Sequence, residues 1–387
     1  MDRTQASVAR DGGRGGSVAT ITNRWGEVPA ARLDVVERIV FRGRPGAAFN
    51  HQAQLASDDR RLYLTWSSAP RDEEEAGQGG MLAVSDDEGA TWSEPIALAP
   101  ARPGRFAASV VVSCGIHVRG RDLVAFHGEW ERYEPQRDAA REAARAAAGE
   151  RSCFDVRTEA RVSRDRGATW SKPVSVVRDQ FGFLPPIVTS RGRLILPGHL
   201  GTAWTDDPLG LEGWTRALLP GLPADYVDDW YGRERGAALI GTPHRFNEAC
   251  CYEVPGALRM MMRNENHTRL GVAESFDGGE HWSPPVLTDF TNSVSRSHFG
   301  RLPDGRWFNV SCPTPPAAGK APSTRTPRTP VILALSEDGD RFDRHYVLGD
   351  DAQGAPRLEG HLKHGRYGYP FLHVRGERAL VAWSVNK

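Results

Sequence analysis

No stretch of the chain approaches the ~20 consecutive apolar residues that a membrane-spanning helix needs, so no such helix and no membrane partner is expected. Net charge is also missing: Lys plus Arg and Asp plus Glu both number 49. No global field therefore favours nucleic acid, and any anion must be bound locally. Cysteine is scarce. The five present (Cys114, Cys153, Cys250, Cys251, Cys312) have no C-x-x-C spacing and read as buried thiols in strands. The histidines lack H-x-H and H-E-x-x-H spacings, so neither a metal nor a cofactor is called for. The opening MDRTQASVARDGGRGGSVATITNR has no apolar segment of the secretory kind. Residues 1–32 are expected to be a flexible tail before one domain spanning 33–387, and the protein to be cytoplasmic, or secreted if a leader was removed.

What is abundant is a turn. Ser275-Phe-Asp277-Gly-Gly279-Glu-His-Trp282 has the form S-x-D-x-G-x-x-W. Ser and Asp can bond the turn backbone, Gly accepts positive φ, and Trp packs beneath the next strand. Close copies occur at Ser85–Trp92 and Ser163–Trp170, with degenerate ones at Ser336–Phe342 and Thr205–Trp214. Each follows a short β-like run, so the repeating unit is a four-stranded sheet and the architecture a β-propeller. The turn joins strands; it is not a reaction centre.

Five such units can be traced, beginning near Gln52, Ser109, Phe183, Ala249 and Ser297, and a sixth is left with only Phe371–Val374 and Leu380–Trp383. The expected fold is all-β, a six-bladed β-propeller of four-stranded antiparallel sheets, with seven blades as the alternative. Val36–Arg42 is expected to complete the last blade. The Ala-, Arg- and Glu-rich stretch 135–150 is expected to be a short surface helix.

In a four-stranded meander the start of the innermost strand and the loop after the second strand share one rim, while the Ser/Asp turns fall on the opposite face. Strand starts bring Asn50, His51, Glu248, Arg296, His298, Tyr367 and Tyr369 to that rim. Return loops bring Arg71, Asp72, Glu73, Glu74, His127, Glu129, His199, Arg263, Glu265 and His267. These residue types move protons and hold anions.

The repeated turns resemble the Asp-box (BNR) repeat of the sialidase superfamily, from about Val36 onward. The Glu248-to-Arg263 spacing is similar to the sialidase blade in which Glu assists a nucleophilic Tyr and Arg binds the substrate carboxylate. That resemblance implies a Tyr nucleophile at Tyr369 or Tyr367 and a general acid at Asp72. It implies a further carboxylate-binding arginine at Arg296 or, failing that, Arg301. Sialidases open the first blade with an Arg-Ile-Pro-like sequence, whereas Phe49-Asn50-His51-Gln52 stands here. This opening, together with the closing Tyr-x-Tyr-Pro, resembles a branch near propeller enzymes that detach rhamnose from glucuronate as lyases or hydrolases.

The expected function is a sialidase-like, exo-acting, carbohydrate-cleaving enzyme, glycoside hydrolase or uronate lyase, acting on a small-molecule or oligosaccharide substrate with a carboxylate. His51, Asp72, Glu248, Tyr367, Tyr369, His127 and His298 are the catalytic candidates. Asn50, Arg71, His199, Arg263, His267, Arg296 and Arg301 are the substrate-binding ones. The alternatives are an intracellular tailoring enzyme for small molecules, a true exo-α-sialidase, and a non-catalytic sugar-binding propeller.

Overall fold

Short apolar runs separated by Gly- and Asp-rich turns form antiparallel meanders, because each run is long enough to bury one strand and each turn reverses the chain. The computed structural model describes residues 19–386 except 134–137, 139, 142–143, 146–147, 149, 152, 230–232, 315–327 and 351–366. Two short strands come first, β1 (Ala19–Thr22) and β2 (Ala30–Arg32). The first sheet comprises β3 (Phe49–Ser57), β4 (Leu62–Ala69), β5 (Gly79–Ser85) and β6 (Ile96–Ala99). The second contains β7 (Ser109–Arg119), β8 (Asp122–Arg132), β9 (Cys153–Ser163) and β10 (Val174–Arg178). The third is built from β11 (Ile187–Val188), β12 (Leu194–Pro197), β13 (Gly201–Thr205) and β14 (Thr215–Leu218), followed by a short helix, Arg233–Leu239.

The fourth sheet holds β15 (Phe246–Val254), β16 (Ala257–Asn264), β17 (Arg269–Ser275) and β18 (Val286–Thr291). The fifth has β19 (His298–Arg301), β20 (Trp307–Ser311), β21 (Val331–Ser336) and β22 (Arg344–Gly349). A final pair, β23 (Tyr367–Arg375) and β24 (Arg378–Val385), packs against β3 and closes the ring. The protein is an all-β propeller. Apolar clusters fill the gaps between neighbouring sheets; one joins Leu55, Trp66, Tyr252, Phe299, Phe342 and Phe371 from four of them.

The N-terminal region departs from expectation. β1 pairs parallel with β18 and β2 parallel with β22, so residues 19–32 are outer strands of the fourth and fifth sheets and not a loose tail. Residues 1–18 lie outside the described residues. Val36–Arg42 forms no strand: Val36 and Ile39 are exposed, and only Val40 and Phe41 pack inward. Its apolar positions do not alternate, so pairing as a strand would bury no single face. Of the expected surface helix, residues 140–141 and 144–145 are helical and much of the rest is outside the described residues.

All five Ser/Asp turns form where expected, between third and fourth strands. In the fourth sheet Asp277 Oδ1 accepts from Ser275 Oγ (2.8 Å), Glu280 N (3.1 Å) and His281 N (3.0 Å). Gly279 there has φ of +91°, and a Cβ on it would come within 2.7 Å of Ile195 Cδ1, so glycine is required. The indole Nε1 of Trp282 donates to Thr202 Oγ1 of the preceding sheet (3.0 Å), so the turn also links blades.

Candidate active site

A bulge recurs on the innermost strand of four sheets, falling on Gly115 (φ 85°) in the second and on non-glycine residues in the other three, which aim the site. Strand register shifts between His51 and Gln54, between Asn247 and Cys250, and between Gly368 and Phe371. At each shift a non-glycine residue takes the left-handed conformation: Gln52 (φ 61°), Glu248 (φ 47°) and Tyr369 (φ 50°). Bulges re-aim side chains, and strained φ at a non-glycine persists only where the surroundings hold it.

Two of these residues meet. Tyr369 Oη donates to Glu248 Oε1 at 2.6 Å although 121 residues separate them. Arg263, from the end of β16, donates through Nη1 to Tyr369 Oη (2.8 Å) and pairs with Glu248 Oε2 (2.8 Å), while its Nε donates to Asn247 Oδ1 (2.8 Å). The phenol thus lies between a carboxylate able to take its proton and a cation able to stabilise the phenolate. Burial works against the charge on Arg263, but Glu248 and Tyr369 outweigh it and hold the guanidinium protonated. Burial also raises the Tyr369 phenol well above its ordinary range; Arg263 opposes that shift and Glu248 adds to it. Tyr369 is therefore a neutral proton donor at rest and needs a base as it reacts.

Three guanidinium groups surround the Tyr369 ring: Arg296 at 4.9 Å, Arg328 at 5.4 Å and Arg263 at 6.0 Å from its centroid. Arg296 is 1% exposed and reaches across the ring axis to the carbonyl of Phe183, which also accepts from Gln54 Nε2 (3.0 Å). It forms the floor of the site. Nε and Nη2 of Arg296, Nη1 of Arg328 and Nδ2 of Asn247 are buried donors without a hydrogen-bond partner among the described residues. A cluster of unsatisfied donors favours an anion. Arg328 was missed by sequence reasoning. It sits at the far end of a Pro- and Thr-rich loop, yet that loop follows a second strand as Arg263 does, and that position was the available signal.

His51 joins the cluster: its ring centroid is 4.1 Å from that of Tyr369, and its Nδ1 is 2.5 Å from Ser384 Oγ. Asp72 is buried at the start of the loop after β4, and the charge of its neighbour Glu73 bears on Tyr369. Arg71 turns away, donating to Glu75 Oε1 (2.9 and 3.1 Å), and Asn50 accepts from Trp66 Nε1 (3.0 Å). His199 contacts Glu248 through its backbone: its Nδ1 accepts from Glu248 N (3.1 Å).

Other candidates fall elsewhere. Tyr367 is buried in the core between the fifth sheet and the closing pair, edge-on to Trp383. His298 stacks on Phe371 (4.0 Å) and accepts from Leu372 N (3.2 Å), and burial next to Arg296 pushes its pKa down to about 3. It is thus a neutral acceptor pinning β19 to β23. His267 accepts from Arg269 N (3.1 Å) within its own loop. Arg301 lies over Trp307 at the far end of β19 and bonds Gly305 O (2.9 Å).

His127 heads a second cluster, with Glu159 at 3.4 Å and Glu129 nearby. The three could each offer one ligand atom to a cation. Arg102 and Arg157 already pair with both carboxylates, at 2.5 to 3.2 Å, so a cation would have to displace two guanidinium groups. Despite burial, His127, Arg157 and Arg102 hold Glu159 well below the usual carboxylate range. The set is a charge-balanced pin.

A hollow of about 680 Å3 is lined by residues such as Leu184, Tyr252, His298, Phe299 and Phe371 and by the β15–β16 turn at Pro255 and Gly256. It contains neither Glu248, Arg263 nor Tyr369. The candidate site is the converging polar cluster around Tyr369.

Residues 61–380 match the BNR repeat-like domain. The chain belongs to that family. No curated protein matches this BNR-repeat chain. Among solved structures it is similar to a Trypanosoma rangeli sialidase mutant displaying trans-sialidase activity (TM-score 0.60, 15% identity, covering 92% of this chain and 58% of that one). It is also similar to a leech intramolecular trans-sialidase complexed with 2,7-anhydro-Neu5Ac (TM-score 0.58, 12% identity, 88% and 65%). A protein of unknown function from Dyadobacter fermentans matches at TM-score 0.57 and 16% identity, covering 90% and 93%. The BNR-repeat chain thus has the sialidase-like propeller fold and spans under three-fifths of the trypanosomal sialidase.

Proposed function

We propose that the protein is an exo-acting, carbohydrate-cleaving enzyme for substrates bearing a carboxylate, built on a six-bladed propeller whose sixth blade is the β23–β24 pair. The observation that carries this reading is Tyr369 Oη held between Glu248 (2.6 Å) and Arg263 (2.8 Å). In this scheme Arg263 and Arg328 hold the substrate carboxylate and Arg296 adds positive charge from below. Tyr369 attacks the anomeric carbon as Glu248 takes its proton, and Asp72 protonates the leaving oxygen. Water then cleaves the glycosyl–tyrosine bond. Glu248, Arg263 and Tyr369 are each less than a tenth exposed, so rim side chains must part to admit a sugar. The sialidases among the structural neighbours support the class of chemistry.

A second reading, uronate lyase, is favoured by one observation: His51, in place of an arginine, lies against Tyr369. An imidazole and a phenol at that distance suit proton abstraction next to a carboxylate and protonation of the leaving oxygen. The two are separated by assaying release of sialic acid from a fluorogenic sialoside alongside ultraviolet absorbance from an unsaturated uronate. Tyr369→Phe and Glu248→Gln should abolish whichever signal appears. Turnover unchanged in both variants would refute both readings.

A further inference from the structure

The bulge that aims Glu248 removes two backbone amides from the β15–β16 ladder, and both find acceptors in a different blade. Glu248 N donates to His199 Nδ1 (3.1 Å), and Ala249 N donates to Gly198 O (3.0 Å). Gly198 and His199 form the tip of the β12–β13 hairpin in the third sheet. Because an N–H points at Nδ1, the ring carries its proton on Nε2. Phe181 and Phe183 pack the ring at 5.1 and 4.7 Å.

The hairpin tip is itself gripped. Asp228 is fully buried, and its Oδ2 and Oδ1 accept from His199 N (2.9 Å) and Leu200 N (2.8 Å). Its own N donates to Asp179 O (2.8 Å), which ties it to the segment after β10. A Cβ on residue 198 would come within 2.3 Å of Asp228 Oδ2, so glycine there is what lets the carboxylate close over the tip. The contacts run unbroken from Asp228 through the hairpin tip to the backbone of Glu248.

We propose that Asp228 and His199 are positioning residues, a cross-blade clamp that holds Glu248 in its left-handed conformation with its carboxylate on Tyr369. This assigns His199 a role through Glu248 and not on substrate, and it gives the buried segment from Tyr226 to Asp229 a purpose. It rests on Glu248 being the base for Tyr369. The clamp itself is read independently of that, through the two amides. Without it the two amides of the bulge lose their acceptors, and Glu248 loses the backbone restraint that, beside Tyr369 and Arg263 on its side chain, keeps φ at +47°.

The test compares His199→Leu, which fills the space without an acceptor, with His199→Asn, whose Oδ1 sits one bond from Cγ as Nδ1 does. Asp228→Asn, which keeps one acceptor of two, is the second arm. Amide exchange on the full chain without substrate should quicken at Glu248 and Ala249 by about tenfold or more in His199→Leu. It should return toward wild type in His199→Asn, with β17 unchanged throughout. On whichever acidic glycoside is turned over, kcat should fall by about 10²-fold in His199→Leu, with KM within about twofold and partial rescue by Asn. Asp228→Asn should show the same pattern more weakly.

Unchanged exchange at both amides in His199→Leu overturns the clamp, as does a loss confined to KM, which would put His199 on the substrate. Should His199→Leu not fold, wild-type exchange in Asp228→Asn would overturn it equally. If the amides respond as expected while wild-type protein turns over no acidic glycoside, the clamp stands and the enzymatic reading fails.

Discussion

The two faces of the propeller solve the same problem, buried and turning backbone, in opposite ways. On one face each Ser/Asp turn satisfies itself within eight residues: Asp165 accepts from Ser163 Oγ, Thr169 N and Thr169 Oγ1 at 2.6 to 2.8 Å, and Ser163 Oγ accepts from Gly167 N. On the other face Glu248 depends on Tyr369, 121 residues away, on Arg263, and on His199 in another blade. Both faces hold non-glycine residues at positive φ, Glu88 and Arg166 in the turns and Glu248 and Tyr369 here, but this face also leaves guanidinium donors without partners among the described residues. One face is held mainly by local bonds; the other is held by distant ones and is short of acceptors for its guanidinium groups. Unsatisfied guanidinium donors gather where an anion is to be bound, since saturation would leave nothing for the ligand.

That contrast can be broken most sharply at the phenol. Tyr369→Phe should abolish turnover, because it removes the attacking oxygen, and shift the unfolding midpoint less than loss of Arg263 does, because Glu248 keeps its cation. Glycoside turnover and a urea titration check both halves. Arg263→Ala should cost activity and, in addition, ~3–5 kcal/mol of stability, because it leaves the Glu248 carboxylate buried without its cation. Adding Glu248→Gln to that variant should recover part of the stability and none of the activity.

Asp277→Ala attacks the turn face. It should cost about 0.5–1.5 kcal/mol, since the amides it frees are exposed and turn to water, and leave turnover within about twofold of wild type. A large loss of activity there would show that the two faces are coupled.

The smallest effect lies in pH dependence, where the faces should differ in sign. Though partial burial opposes it, bonds from His281 N, the His281 ring and Ser275 lower the Asp277 carboxyl from 3.8 to about 2. Its stabilisation is present above 3.8 and lost as pH falls through about 2, so Asp277→Asn should flatten the acid limb there. Burial instead raises Asp228 from 3.8 to about 7, outweighing its two backbone bonds. Its contribution is fullest below 3.8 and is lost as pH rises toward 7. Denaturant titrations of wild type and Asp228→Asn between pH 4 and 7 should converge or cross in that sense.

The repeated turns could be read directly because their chemistry lies within eight residues, and they placed the strand breaks correctly. The rim argument brought Glu248, Arg263, Tyr369 and His51 together, since the topology of a meander fixes which loops share a face. It failed to separate Tyr369 from Tyr367, two residues apart, because a bulge between them shifts the register. It misjudged His298 for a similar reason: packing against Phe371 decides what an imidazole does. Arg296 was expected to grip substrate; its Nη1 is spent on the carbonyl of Phe183, while Nε and Nη2 have no partner among the described residues. Val36–Arg42 was expected to pair, and its uneven apolar spacing left it unpaired.

The sequence by itself determined the repeating unit, its turns and the face on which chemistry could gather, because each depends on hydrogen bonds and apolar alternation between near neighbours. Tertiary structure alone decided which side chains meet. Tyr369 finds Glu248, Arg296 becomes a floor, and Asp228 reaches Glu248 through a hairpin, only once the ring closes and bulges turn single residues across blade boundaries. Those contacts join residues tens to hundreds of positions apart, and no local pattern encodes them.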